Sequence, residues 1–135
     1  MGHAVDAESS LVAQLTLAQR WATRGLARAL AEDDCTVDQW LVLRALADGQ
    51  GHPMGELAGT LRIAQPTLTR VVDALSDRAL VYRRQDTGDG RRVEVHLSRQ
   101  GGVRLVRLEA VVRAHEATLA SDPGWQETRR KLTLP

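Results

Sequence analysis

The apolar periodicity of the chain changes within residues 53–97, and this change restricts the fold more than any other feature. After Pro53 and again after Pro66, apolar residues recur at steps of three and four, which is the spacing of one helix face. A proline suits the first turn of a helix because the amide that it lacks would have no partner there. From Val93 to Leu97, apolar and polar residues alternate, which is the period of a strand. This order predicts two short helices followed directly by a β-hairpin.

Longer helices are predicted on both sides of this stretch. Residues 9–31 and residues 99–120 each carry two apolar stripes at helical spacing. Such a helix needs more than one packing partner, which one small core cannot supply. Burial of a Leu or Val side chain contributes roughly 1.5–3 kcal/mol, so we expect the second stripes to pair with those of a second copy. The tail from Trp125 to Pro135 is expected to add one or two helical turns.

Two polar patterns mark where helices begin. Thr36 and Gln39 stand three residues apart, as in a capping box, in which each side chain bonds the backbone amide of the other residue. Ser98 stands where a cap is needed for the helix that follows the hairpin. We therefore expect one helix to start just after Thr36 and another just after Ser98.

These elements predict a mainly α fold with a small β-hairpin. The arrangement is that of a winged helix-turn-helix with long terminal helices that form a dimerisation region. The expected boundaries are 1–34 for an N-terminal dimerisation helix, 35–98 for a winged helix-turn-helix DNA-binding domain, and 99–135 for a C-terminal dimerisation helix and tail.

Positive charge is concentrated in the middle of the chain, although the net charge is only +1. Residues 1–61 carry four arginines against eight acidic residues, whereas residues 62–92 carry seven arginines against four aspartates. Arginine presents a planar fork of donors that suits phosphate groups and base edges. The clustering of these arginines favours a nucleic-acid partner.

The helix opened by Pro66 has one apolar face and one polar face. Its apolar residues follow the i, i+3, i+4, i+7 spacing: Leu68, Val71, Val72 and Leu75. The opposite face carries short or forked polar groups: Gln65, Thr67, Thr69, Arg70 and Asp73. An α-helix fits the DNA major groove, where each base pair displays a distinct pattern of donors and acceptors. We expect the polar face to contact base edges, and the hairpin to contact phosphates or a minor groove.

This part of the chain resembles the MarR family of bacterial transcriptional regulators. Residues 54–58 are similar to the family's third-helix segment, and residues 65–75 are similar to its recognition helix. The most specific likeness lies in the hairpin, where the family has Asp-x-Arg, five residues and Leu-Thr, often followed by Gly. Here Asp89-Gly90-Arg91 is followed by Leu97-Ser98 and then by Gly101. The resemblance covers roughly residues 10–120.

The resemblance implies a homodimeric, sequence-specific regulator of transcription, most often a repressor. Such a protein binds a pseudo-palindromic operator in double-stranded DNA and is released by a small-molecule effector or by oxidation. The resemblance also implies that Arg91 enters a minor groove from the tip of the hairpin, which is the wing, and that Asp89 braces the wing.

Residue patterns and resemblance together give a set of candidate DNA-binding residues: Arg62, Gln65, Pro66, Thr67, Thr69, Arg70, Arg84, Asp89, Arg91 and Arg92. Most protein–DNA hydrogen bonds go to the DNA backbone. Phosphate contact is therefore the expected role of four arginines: Arg62, Arg83, Arg84 and Arg92. Arg78 is expected to pair with an acid such as Asp73 or Asp77.

Three features depart from the family pattern. Ser98 replaces the usual Thr, and either hydroxyl can cap a helix. Ala79 stands where a Gly usually ends the recognition helix. A left-handed turn there costs about 1 kcal/mol or more for a residue other than glycine, so this turn is expected to differ. The C-terminal segment is short, which leaves the exact dimer contacts open.

Cys35 and two tryptophans each have two interpretations. Cys35 precedes a predicted helix, where amides can lower a thiol pKa, but the acidic residues before it oppose a thiolate. We interpret Cys35 as an inert cysteine, with a redox role in peroxide sensing as the alternative. Trp21 and Trp40 are interpreted as core residues, and their alternative role, by family analogy, is to line a ligand-binding pocket for an effector.

No metal or other cofactor is expected. His52, His96 and His115 lie in different predicted elements, and the sequence has no cluster with ligand spacing. An enzyme is not expected either, because no nucleophile–base–acid trio or phosphate-binding loop is present.

A second functional class stays open, namely a winged-helix protein-interaction module that has lost DNA reading. The presence of both Arg70 and Arg91 favours DNA binding over this alternative. The sequence has no apolar run near the roughly 18 residues of a transmembrane helix, and no secretory leader is visible. We therefore expect no membrane partner. The single cysteine cannot form an internal disulfide, so we expect a cytoplasmic, nucleoid-associated protein.

Overall fold

The computed structural model describes residues 10–85, 88 and 92–132. Within these ranges the elements are, in order, α1 (Leu11–Ala31), α2 (Val37–Ala45), β1 (His52–Pro53), α3 (Met54–Leu61), α4 (Gln65–Asp77), β2 (Val81–Gln85), β3 (Val93–Leu97), α5 (Arg99–Ala120) and α6 (Pro123–Leu132). The mainly helical fold with a small sheet is the predicted one, and α5 has the predicted bounds.

Side-chain caps fix two helix starts that the sequence predicted. Thr36 Oγ1 accepts from the Gln39 amide at 3.1 Å, and Gln39 Oε1 accepts from the Thr36 amide at 3.1 Å, so the capping box before α2 is confirmed. Ser98 Oγ accepts from the Gly101 amide at 2.9 Å and thereby caps α5. These bonds satisfy amides that have no partner inside their helix.

The sheet has three antiparallel strands in the order β1-β3-β2, so the predicted hairpin β2–β3 gains a short third strand. In β1, His52 lies opposite Val95 and Pro53 lies opposite Glu94. Pro53 therefore ends a strand and precedes the first residue of α3, whereas the sequence predicted it inside the first helical turn. A two-residue strand shows no alternation, which is why its sequence gave no signal.

The core lies where α2, α4, α5 and the sheet meet. Its largest fully buried side chains are Leu30, Leu43, Leu46, Leu57, Leu68, Leu75, Leu108, Val42, Val72, Val81 and Val95. Of the two tryptophans interpreted as core residues, Trp40 is 9% exposed and belongs to this core. Trp21 is 46% exposed on α1, so that interpretation is wrong for Trp21 in the single chain.

Three helices end in a left-handed residue that is not glycine: Asp34 after α1, Arg62 after α3 and Ala79 after α4. At Ala79, which has φ 60°, the next amide, that of Leu80, donates to the Leu75 carbonyl at 3.0 Å. This is the Schellman arrangement that usually has a glycine. The expectation that the turn differs is therefore wrong, because alanine adopts the glycine conformation here.

The tail forms a longer helix than predicted, since α6 has 10 residues. Asp122 Oδ1 accepts from the Trp125 amide at 3.1 Å, and Pro123 is the first residue of the helix. This pairing of an aspartate cap with a proline in the first turn is a start signal that the sequence does contain.

Candidate nucleic-acid interface

Helix α4 separates its two faces as the sequence predicted. Leu68, Val72 and Leu75 have no exposed surface and anchor the helix on the core. Five residues of the opposite face are exposed: Gln65, Pro66, Thr69, Arg70 and Asp73. Thr67 is half-buried. The exposed face is thus free of large apolar side chains and is shaped for close approach to a groove.

The polar groups of this face differ in how far they are already engaged. The Thr69 hydroxyl donates to the Gln65 carbonyl at 3.0 Å inside the same helix, which leaves the hydroxyl oxygen available as an acceptor. The Arg70 side chain makes no hydrogen bond or ion pair with any residue that the structure describes. Its whole donor fork is available to an external acceptor.

Four of the predicted DNA-binding arginines have no side-chain partner within the described ranges: Arg62, Arg70, Arg84 and Arg92. Freedom alone does not single them out, because Arg24 on α1 and Arg113 on α5 are equally unpaired there. What distinguishes the four is their place in the fold. They lie at the end of α3, on α4 and in the outer part of the hairpin, which are the elements of the predicted winged helix-turn-helix.

Two other arginines of residues 62–92, Arg83 and Arg78, instead form hydrogen bonds with other residues of the chain. Arg83 Nη2 donates to Asp73 Oδ1 at 2.5 Å and joins β2 to the polar face of α4. Arg78 donates from Nη1 to the backbone carbonyl of Asp34 at 2.7 Å, so the prediction that it pairs with Asp73 or Asp77 is wrong. The first bond fixes the wing against the middle of α4, and the second extends from the C-terminal end of α4.

The start of α5 closes the junction between α4 and the wing. The Ser98 amide donates to the Leu80 carbonyl at 3.0 Å, and Ser98 Oγ donates to the Ala79 carbonyl at 2.7 Å. Gly101 lies so close to this turn that a Cβ atom on it would stand 2.0 Å from the Leu80 carbonyl oxygen. Helix α5 therefore rests directly on the backbone that links α4 to β2.

Asp89 and Arg91, the predicted residues of the wing tip, lie outside the described residues. Their roles stay predictions from the sequence.

Comparison with known proteins identifies the family. The model of the MarR family matches residues 35–93. An HTH-type transcriptional regulator of Mycobacterium tuberculosis is 32% identical over 116 residues, which cover 86% of this chain and 79% of that protein. The chain belongs to the MarR family. It is a winged helix-turn-helix regulator of transcription. This family is one of transcriptional regulators and not a family of enzymes.

Two further similar proteins are named more specifically, as repressors. An HTH-type transcriptional repressor of Mycobacterium tuberculosis is 29% identical over 107 residues, covering 77% of each chain. The transcriptional repressor CouR, solved bound to a 23-mer DNA duplex, matches with a TM-score of 0.83 at 27% identity, covering 98% of this chain and 93% of CouR. A protein with a fold similar to that of this chain has therefore been solved in complex with duplex DNA.

Cys35 of this MarR-family chain is buried, with 6% of its surface exposed. Its Sγ donates to the Thr36 carbonyl at 3.3 Å. Burial raises the pKa of the Cys35 thiol, against the smaller opposing effect of the Arg78 and Arg104 charges. A raised pKa lowers the thiolate population, and the thiolate is the species that reacts with peroxide.

The two candidate pocket tryptophans border different cavities. Trp21 borders a cavity of about 360 Å³ between α1 and α6. Trp40 borders one of about 430 Å³ that is also lined by α1, α5 and α6. The indole nitrogen of Trp40 is buried and has no hydrogen-bond partner in the described part of the protein. Trp125, which the sequence analysis did not single out, borders both cavities.

The three histidines that the sequence analysis weighed as metal ligands, His52, His96 and His115, each have contacts in a different part of the fold. Both ring nitrogens of His52 face carboxylates, Glu56 Oε1 at 3.0 Å and Asp48 Oδ2 at 2.7 Å. His96 stacks on Tyr82, and His115 Nε2 donates to the Ala22 carbonyl at 3.1 Å. No group of three or more potential metal ligands comes together among the residues described. None of the described helices is long and apolar enough to cross a membrane.

Proposed function

We propose that this protein is a homodimeric transcriptional repressor that binds a pseudo-palindromic operator in double-stranded DNA. The observation that carries the proposal is the exposed polar face of α4, on which Arg70 has no partner in the part of the chain that the structure describes. The ion pair between Asp73 and Arg83 joins that face to the wing. A groove-sized polar helix beside an arginine-bearing hairpin matches the chemistry of duplex DNA.

Different residues take base and phosphate contacts in this proposal. Gln65, Thr67 and Arg70 face the base edges, because amide, hydroxyl and guanidinium groups match the donors and acceptors of the major groove. Pro66 and Thr69 lie on the same face of α4 and complete the contact surface. The phosphates are bound by three arginines that have no side-chain partner among the described residues: Arg62, Arg84 and Arg92. A phosphate contact adds affinity without sequence information.

The proposed dimer would cover apolar surface that the single chain leaves open. Five large apolar residues of α1 are exposed: Leu11, Val12, Leu15, Leu17 and Trp21. On α5, Val103 and Val106 are 70% and 72% exposed. Large exposed apolar side chains concentrated on two helices that pack against each other favour an interface between proteins. We propose that residues 1–34 and 99–135 of two copies pair, which sets the two α4 helices on neighbouring faces of one duplex.

Release by a small molecule is the proposed form of regulation. The cavity beside Trp40 has a volume of about 430 Å³, within the usual range for small-molecule sites. Its lining includes Trp40, whose buried indole nitrogen has no acceptor among the described residues. The raised pKa of Cys35 argues for a ligand rather than oxidation as the signal. The name of the Mycobacterium tuberculosis relative and that of CouR support repression as the outcome.

Selection of bound fragments from a random duplex pool tests this proposal. We expect an inverted repeat to be enriched, since two identical α4 helices read two identical half-sites. Arg70→Ala should then lower the affinity for the selected duplex by about 1–3 kcal/mol, and lower the affinity for random duplex by less. Arg113→Ala removes an equally unpaired charge from α5 and serves as the matched control. Equal losses on both duplexes for Arg70→Ala would contradict base reading.

The alternative of a protein-interaction module makes a different prediction for the same experiment. A module that has lost DNA reading would enrich no sequence and would bind all duplexes weakly and with equal salt dependence. Enrichment of any inverted repeat excludes it.

A further inference from the structure

We propose that Arg78 is a positioning residue for DNA reading, which sets the orientation of α4 by tying its end to the loop between α1 and α2. This inference rests on the proposed function, since it concerns how the proposed reading helix is held. Arg78 follows the last residue of α4, and its Nη1 atom donates to the Asp34 carbonyl at 2.7 Å. The two residues are 44 positions apart in the chain, so the bond joins two segments that are distant in sequence.

The loop that receives this bond is firmly held. Asp34 is left-handed, with φ 53°, and the Cys35 amide donates back to the Leu30 carbonyl at 3.1 Å. Leu30 is fully buried and Cys35 is 6% exposed. The Asp34 carbonyl lies three residues beyond the last residue of α1 and accepts a charge-assisted hydrogen bond from the guanidinium. The loop after α1 is therefore a firmly held acceptor for Arg78.

Two arginines of α5 bind the same loop, and they provide an internal comparison. Arg104 Nη1 donates to the Asp33 carbonyl at 3.1 Å, and Arg107 Nε pairs with Asp33 Oδ1 at 2.7 Å. These bonds hold the loop to α5 and do not involve α4. Arg78 and Arg104 thus make the same kind of bond, from a guanidinium to a backbone carbonyl of this loop. They differ in the helix that the bond holds, which is α4 for Arg78 and α5 for Arg104.

The position of Arg78 suits control of the reading face. Arg70 and Arg78 are eight residues apart, which is roughly 12 Å along a helix. Beside the core packing of Leu68, Val72 and Leu75, polar contacts hold α4 at its middle, through Asp73 and Arg83, and at its end, through Arg78. Loss of the end contact would let the helix shift on its core packing and would move Arg70 relative to the bases.

The same bond connects DNA reading to the cavity beside Trp40. Helix α1 lines that cavity through Ala22 and Leu26 and ends at the loop that Arg78 binds. A ligand that shifts the end of α1 would therefore shift α4. By thermodynamic reciprocity, operator binding would change the affinity for that ligand by the same factor.

Arg78→Gln, with Arg104→Gln as the matched control, tests the proposal. Each variant loses one guanidinium–carbonyl bond to the same loop, so both should lower the urea midpoint by a similar amount. The ratio of affinities for the selected duplex and for random duplex separates them. We expect this ratio to fall roughly 3- to 10-fold in Arg78→Gln, as for the loss of one hydrogen bond, and to stay unchanged in Arg104→Gln. The salt dependence of binding should stay unchanged in both.

An unchanged ratio in Arg78→Gln, or equal falls in the two variants, would overturn the proposal. A salt slope reduced by about 1 would also overturn it, because Arg78 would then be a phosphate contact. If Arg78→Gln does not fold, Arg78→Lys is measured instead. It keeps the charge without the planar fork, and we expect a smaller fall in the ratio, whereas no fall would overturn the proposal.

Hydrogen exchange in the free protein keeps this inference distinct from the proposed function. The amides of α4 should exchange faster in the Arg78 variant than in Arg104→Gln, with no DNA present. If the wild-type protein selects no duplex but α4 still loosens, the proposed function fails and the structural tie stands. If α4 exchange is the same in both variants, the tie does not hold α4 and the inference fails.

Discussion

Two adjacent glycines of α5 should respond to the same substitution with opposite signs. Gly101 and Gly102 both lie in the first turns of the helix, where alanine is favoured over glycine by about 1 kcal/mol. A Cβ atom on Gly102 would stand 3.9 Å from Leu97 Cδ2, which is ordinary contact. We therefore expect Gly102→Ala to raise the free energy of unfolding by about 0.5–1 kcal/mol.

At Gly101 the same methyl group meets backbone. Its Cβ would stand 2.0 Å from the Leu80 carbonyl oxygen, so α5 and the α4–β2 turn must separate by about 1 Å to reach the shortest contact seen in proteins, 3.0 Å. Such a shift breaks the bonds from Ser98 to the Leu80 and Ala79 carbonyls, at about 1 kcal/mol each. Strain from the added methyl group costs about 1–3 kcal/mol more. Less the helix-propensity gain, Gly101→Ala should lose roughly 2–4 kcal/mol.

Urea unfolding followed by circular dichroism measures both variants against the wild type. The wild-type slope with denaturant should be retained, so that the change in midpoint reports stability. Two outcomes would refute the reasoning: equal changes in the two variants, or a Gly101→Ala protein as stable as the wild type. Either would mean that α5 does not rest on the backbone between α4 and the wing.

Three other changes have directions that follow from single contacts. Ala79→Gly should stabilise the fold by about 0.5–1 kcal/mol in the same assay. Glycine removes the cost of about 1–2 kcal/mol that a left-handed φ has for alanine, but it also makes the unfolded chain more flexible, which cancels part of the gain. A loss of stability would contradict this prediction. The hydrogen bond to Glu56, and to a smaller extent the one to Asp48, raise the pKa of His52 above its ordinary value of 6.5. These bonds therefore stabilise the fold fully below pH 6.5, and this stabilisation is lost as the pH rises through the raised pKa. Urea midpoints of wild type and His52→Gln should thus differ more at about pH 6 than at about pH 9, and a larger difference at high pH would reverse the sign. Cys35 should react with iodoacetamide much more slowly in the native protein than in urea, and equal rates by mass spectrometry would show that the thiol is not protected.

Features encoded by neighbouring residues were predictable from the sequence. The capping box at Thr36 and Gln39 and the cap at Ser98 depend on residues three positions apart, so the starts of α2 and α5 follow from local chemistry. The two faces of α4 follow from its period in the same way. These local signals are sufficient to predict which face of α4 is polar and exposed.

Features that depend on distant parts of the chain were not predictable. Strand β1 has two residues and exists because β3 offers it a partner. Arg78 was expected to pair with a nearby acid, but Asp73 binds Arg83 and Arg78 reaches the backbone of Asp34. A sequence pattern gives the charge of a side chain but not which of several acceptors lies within reach.

Gly101 shows a case in which the structure explains a residue that the sequence identified only by resemblance. The family pattern places a glycine shortly after the wing, and nothing in the helical period requires it. The 2.0 Å approach of its missing Cβ to the Leu80 carbonyl gives the physical reason. Trp21 shows the opposite case. Its apolar side chain led to a prediction of burial, but 46% of the residue's surface is exposed in the single chain.

The molecular mass of the complex with a selected duplex tests the central proposal most directly. Two protomers that each insert one α4 should give one duplex with two protein chains, on half-sites whose centres are about 34 Å apart. Light scattering of the purified complex should therefore return the mass of two chains and one duplex, and the free protein should already have the mass of two chains. A free protein of single-chain mass, or a complex with one chain per duplex, would contradict the account.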